Sequence, residues 1–106
     1  MELRLEAHLS FVDDRGRLVF EYLDAYPDTK TKLTRHGYHR TDNTFLVTRP
    51  RGGAINEYIG LDCTVRVKLR PCSFRSTYAH NYGEVITSAT LNMLDIGRLE
   101  QPAFEY

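Results

Sequence analysis

Residues 61–70 read Leu-Asp-Cys-Thr-Val-Arg-Val-Lys-Leu-Arg, and their alternation decides how the chain folds. In an extended strand successive side chains point to opposite sides, so Leu61, Cys63, Val65, Val67 and Leu69 share one face, while Thr64, Arg66, Lys68 and Arg70 share the other. The first face suits a core and the second suits an anion. Pro71 has no N–H to give a ladder and stops the strand, and Ser73, Phe74 and Arg75 open a loop of aromatic and polar residues.

The same period runs upstream. Leu3, Leu5, Ala7, Leu9 and Phe11 alternate with Arg4, Glu6, His8 and Ser10, which predicts a half-buried strand with His8 on its solvated side. Asp13, Asp14, Arg15 and Gly16 supply turn chemistry, and Arg17 to Ala25 reads as the returning strand. Apolar residues on both sides of its middle imply a strand buried on two faces or bent, and Pro27 and Asp28 end it. Thr44 to Thr48 forms a short strand, Arg49 to Gly53 a turn, and Ala54 to Ile59 a single helical turn. The last strand runs from about Glu84 to Met93, with Val85, Ala89, Leu91 and Met93 on one parity, and continues toward Leu99 past a bend at Gly97. Two long loops complete the chain. Thr29 to Asn43 has weak apolar content and no helical period, so it reads as an exposed excursion or flexible hairpin; Cys72 to Gly83 is the second.

A length of 106 residues predicts one domain, residues 1–100, followed by a short tail over 101–106. Hydrophobic residues at 42% and charged residues at 26% suit a folded chain, and no apolar run reaches the roughly 18 to 20 residues of a membrane span. The N-terminal segment has no apolar signal region, so a cytoplasmic location is expected. Cys63 and Cys72 fall on opposite faces of a regular strand, which predicts two reduced thiols. The net charge of zero conceals an asymmetry. Between Thr29 and Tyr82 there are ten basic and three acidic residues, a surplus of seven, and the flanks carry the matching deficit. The field at a patch is set by charges within about one Debye length, roughly 8 to 10 Å, so this distribution favours a polyanion.

Five strands with long loops predict an all-β fold, a small five-stranded OB-like barrel that protects its strand edges; a β-sandwich needs more strands. The succession VRVKLRP, SFRSTY, Gly83 and TLNMLDIGRLE resembles the second half of small OB-fold single-stranded-DNA-binding proteins of phages and mobile elements, over about residues 61–100. The resemblance implies single-stranded DNA as ligand and a role in DNA replication or recombination. The tail departs from the pattern, because Glu100 to Tyr106 lacks the long acidic terminus with which many such proteins recruit partners.

Single-strand binding needs cations to follow phosphates and aromatic faces on which bases stack. The residues expected to provide them are Arg35, Tyr38 and Arg40 in the first loop, Arg49 after the short strand, Arg66, Lys68 and Arg70 on the basic face, and Phe74, Arg75, Tyr78 and Tyr82 in the second loop. Little sequence selectivity is expected, and RNA stays open as a ligand because no residue is identified that reads a 2′-hydroxyl. The same tyrosines and arginines would also suit a protein–protein interaction module or adaptor that binds no nucleic acid. An enzyme is not expected: His36, His39 and His80 lie near Arg and Tyr residues, but nothing fixes a carboxylate beside them. No metal is expected either. His36 and His39 are three apart, yet the cysteines form no CxxC pair and Cys63 belongs to the apolar face. Gly52 and Gly53 match no phosphate-binding loop, so no cofactor is expected. Phe104 and Tyr106 either dock on a second copy, giving a homo-oligomer, or fray; contacts to replication or recombination proteins stay open.

Overall fold

Alternating polarity gives the chain its longest strand, β1 (Glu2–Val12), which turns back into β2 (Leu18–Tyr22). Then come the helix α1 (Asp28–Arg35), β3 (Thr44–Val47), a 3₁₀ turn over Ile55–Tyr58, β4 (Asp62–Pro71) and β5 (Ala89–Arg98). The computed structural model describes residues 1–38, 40, 42–50, 54–71 and 89–100. The strands pair antiparallel in one sheet of order β3-β2-β1-β4-β5. Its two edges meet at one point: the Thr48 N–H donates to the Leu91 carbonyl at 3.0 Å, and Thr48 sits beside Asn92 in a parallel bridge. The result is an all-β, OB-like barrel whose seam no continuous ladder closes among the described residues.

The inward face carries the core. Leu5, Ala7 and Leu9 of β1, Leu18 and Phe20 of β2, Phe45 and Val47 of β3, and Cys63, Val65 and Val67 of β4 have no exposed surface. Each fully buried aliphatic or phenyl group contributes about 1.5–3 kcal/mol. Phe20 and Phe45 are register partners and stack with ring centroids 5.2 Å apart. β4 divides as its alternation predicts, and Leu18, Val19 and Phe20 are all buried, as a strand covered on two faces requires. The β1–β2 turn is held by Asp13, whose carboxylate accepts from the Arg15 and Arg17 N–H groups at 3.0 and 2.7 Å while Gly16 takes φ +78°. Burial opposes ionisation of Asp13, but these N–H groups and the Arg17 guanidinium hold its carboxyl below the usual value.

Three expectations need correction. The segment from Thr29 to Asn43 is no loop at its start, since α1 occupies Asp28–Arg35. β2 ends with Tyr22 opposite Ala7, so the backbone of Glu6 has no strand partner on that side. α1 takes the place of the missing strand: the Thr29 hydroxyl donates to the Glu6 carbonyl at 3.1 Å and accepts from its N–H at 3.4 Å, while Leu33, one turn on, enters the core. Phe11 is 54% exposed, because a bulge between Leu9 and Phe11 shifts the register and pairs Val12 with Leu18. In β5 the irregularity falls at Leu94, between the pairs Val67↔Met93 and Arg66↔Asp95, and Gly97 stays in register with Thr64. Residues 84–88 of the expected last strand lie outside the described residues.

Candidate nucleic-acid interface

With its apolar face turned into the barrel, β4 presents Arg66, Lys68 and Arg70 outward, all three exposed. Alternate side chains recur about every 6.8 Å along a strand, so the three cations span about 14 Å. Among the described residues none of them forms an ion pair. Register fixes their neighbours. Arg4 of β1 lies opposite Arg66, and Glu2 opposite Lys68. On the other side, Asp95, Asn92 and Thr90 of β5 face Arg66, Lys68 and Arg70 in turn. The Arg70 end is therefore the more positive. Thr48, bridged to Asn92, lies about 10 Å or two strand spacings from Lys68, and the exposed Arg49 follows it in sequence at the seam.

Other expected site residues do not join this stripe. Tyr38 is 6% exposed: the Leu46 N–H donates to its hydroxyl at 2.7 Å, and the hydroxyl donates to the Leu46 carbonyl at 3.1 Å. It is a core residue and offers no ring face for stacking. Burial raises its titration, and burial together with the nearby Tyr38 and Asp42 pushes the Tyr22 phenol up to about 12. Arg40 binds Asp42 through Nε at 2.9 Å and Nη2 at 3.1 Å, and this grip brings the Asp42 carboxyl down to about 2. Arg35 is exposed in the last turn of α1, where a cation suits the helix dipole. Phe74, Arg75, Tyr78 and Tyr82 lie outside the described residues. Pro71 and Ala89, between which they fall in sequence, are register partners at the Arg70 end of the stripe.

Arg4 was not legible as a site residue, because only the β1–β4 register sets it against Arg66. Lys32 approaches the same row, donating from Nζ to the Arg4 carbonyl at 3.0 Å. Elsewhere, His8 Nδ1 lies 2.8 Å from Asp62 Oδ1 in a partly exposed cross-strand pair. Burial pushes the Cys63 thiol up to about 11, leaving it a core group, and Cys72 lies outside the described residues. His36 closes α1, and His39 and His80 fall outside the described residues. Among the described residues no three or more His, Cys, Asp or Glu side chains gather as metal ligands, and no helix is long and apolar enough to cross a membrane.

The chain is thus a small all-β domain of barrel-like form with a cationic strand face. Comparison with protein-family models, with curated proteins and with solved structures gives no match.

Proposed function

We propose that this protein binds single-stranded nucleic acid along the outward face of β4, by phosphate contacts and with little overall sequence selectivity. One observation carries the reading: Arg66, Lys68 and Arg70 stand exposed on one strand face with no ion pair among the described residues. Adjacent opposite charges normally pair across strands, so cations held without partners are available to an external anion. Arg4, opposite Arg66, continues the row onto β1 while also lying 3.4 Å from Glu6, and the exposed Arg49 follows Thr48 at the seam. Aromatic residues suited to stacking follow β4 directly in sequence, at Phe74, Tyr78 and Tyr82. DNA in preference to RNA, and service in replication or recombination of a phage or mobile element, follow from the resemblance of residues 61–100 to small OB-fold single-strand binders.

Fluorescence anisotropy with labelled oligo-dT and with a matching duplex, repeated across salt concentrations, tests the reading. Single-strand affinity should exceed duplex affinity and fall with salt at a logarithmic slope of about 0.7 per phosphate neutralised. A salt-insensitive response, or no binding, would assign the face to a protein partner.

A further inference from the structure

Between the Arg66 end of the cationic stripe and β5 lies a hollow of about 260 Å³, lined by Arg4, Thr64, Arg66, Asp95, Ile96 and Gly97. It is smaller than a drug-sized pocket and suits a single flat ring system. Three independent features mark it. Gly97 sits inside a strand without a positive φ, so its backbone does not require glycine, and a Cβ placed there would meet nothing within 4 Å. Such a glycine weakens a strand unless something approaches it closely. Next, Arg66 and Asp95 are register partners of opposite charge that both line the hollow without closing an ion pair. Finally, the bulge at Leu94 falls beside this pair, and bulges re-aim side chains at sites. Arg4 forms the remaining wall, its Nε 3.4 Å from Oε1 of Glu6, which is only 8% exposed.

We infer that this hollow is a guanine subsite, taking one base swung out from a strand bound along β4, an inference that rests on the single-strand reading. A guanidinium beside a carboxylate presents donors next to two acceptors. The Watson–Crick edge of guanine offers the complement: O6 accepts from Arg66, while N1–H and the N2 amino group donate to the two oxygens of Asp95. Adenine places its amino donor where guanine has O6. Thymine and cytosine each end in the O2 acceptor, which the Asp95 carboxylate repels. The Arg4 guanidinium supplies a plane on which the base stacks, as arginines do in recognition of unstacked bases. Gly97 is the floor that lets the ring lie against the strand.

The test compares oligo-dT with otherwise identical strands carrying one central guanine, inosine or adenine, for the parent protein and for Asp95→Asn and Gly97→Val. Valine suits a strand and enters open space at position 97, so that variant fills the hollow without disturbing the fold. The parent should bind the guanine strand about tenfold more tightly than the adenine strand, with inosine, which lacks the 2-amino group, in between. Both variants should erase the difference while binding oligo-dT at least as tightly as the parent. Equal affinity of the parent for the guanine and adenine strands, with oligo-dT still bound, overturns the subsite and leaves the single-strand reading standing. A guanine preference that survives in Asp95→Asn also overturns it, and failure of every strand to bind removes both together.

Discussion

β1 and β4 are neighbours with the same alternation, in register from Glu2↔Lys68 to His8↔Asp62, yet their outward faces have opposite fates. On β1 the outward groups from Arg4 to His8 find contacts within the molecule, although Glu6 Oε2 and Ser10 Oγ are buried without a hydrogen-bond partner among the described residues. Arg4 leans on Glu6, Glu6 is sunk almost out of solvent, Thr29 and Lys32 bond the backbone of Glu6 and Arg4, and His8 bonds Asp62. On β4, Arg66, Lys68 and Arg70 repel one another with no anion of the described residues closing on them. Contacts of the first kind support the fold, whereas cations of the second kind add little to stability and keep their charge for a ligand. The sharpest way to break this contrast is Arg66→Ala, Lys68→Ala and Arg70→Ala combined. With about 1 kcal/mol or more per phosphate contact, oligo-dT affinity should fall about 10²-fold, and the salt slope should drop by about two. The melting temperature should hold or rise. Unchanged affinity in anisotropy would move the ligand to another face.

The converse substitution is Thr29→Ala. It removes the hydroxyl that answers both backbone groups of Glu6, and leaving them without partners should cost about 1–3 kcal/mol. Thermal unfolding should register a loss of about 4–8 °C per kcal/mol, Thr29→Ser should restore most of it, and oligo-dT binding should not move. A Thr29→Ala protein as stable as its parent would mean that Leu33 and the Lys32 bond to the Arg4 carbonyl hold α1 without the threonine. The same contact explains why α1 was illegible. Helical periodicity is read from apolar residues, and the buried stripe of α1 is one leucine and one threonine whose part is to complete hydrogen bonds for another strand.

β4 was legible because each of its faces carries one kind of chemistry, so the alternation survives without knowledge of any partner. Phe11 misled because one extra residue near Ser10 reverses parity, and a bulge leaves no mark in composition. Tyr38 misled for a different reason. A tyrosine among basic residues reads as exposed, but its hydroxyl finds both a donor and an acceptor on the Leu46 backbone, which lets the ring be buried without an unpaired polar atom. Arg4 and Asp95 became candidates only through the register that sets both against Arg66, and register between segments so distant in sequence is a property of the folded sheet.

The smallest expected effect separates two arginines of equal charge. Arg40 holds both carboxylate oxygens of Asp42, while Arg70 has no ion pair among the described residues. The Asp42 carboxyl is therefore lowered from 3.8 to about 2, and the sign of its linkage follows. Its contribution to stability is fully present above the unfolded value of 3.8 and is lost as pH falls through about 2; solvent screening keeps it small. In Arg40→Ala the Asp42 midpoint, followed by carboxyl NMR, should return toward 3.8. Oligo-dT affinity near neutral pH should barely change, because the charge removed was already answered by a carboxylate. Arg70→Ala removes the same charge and should cost about fivefold in affinity, from about 1 kcal/mol for one phosphate contact. Equal losses from the two variants would mean that net charge alone attracts the strand, and the distinction between answered and unanswered cations would carry no weight for binding.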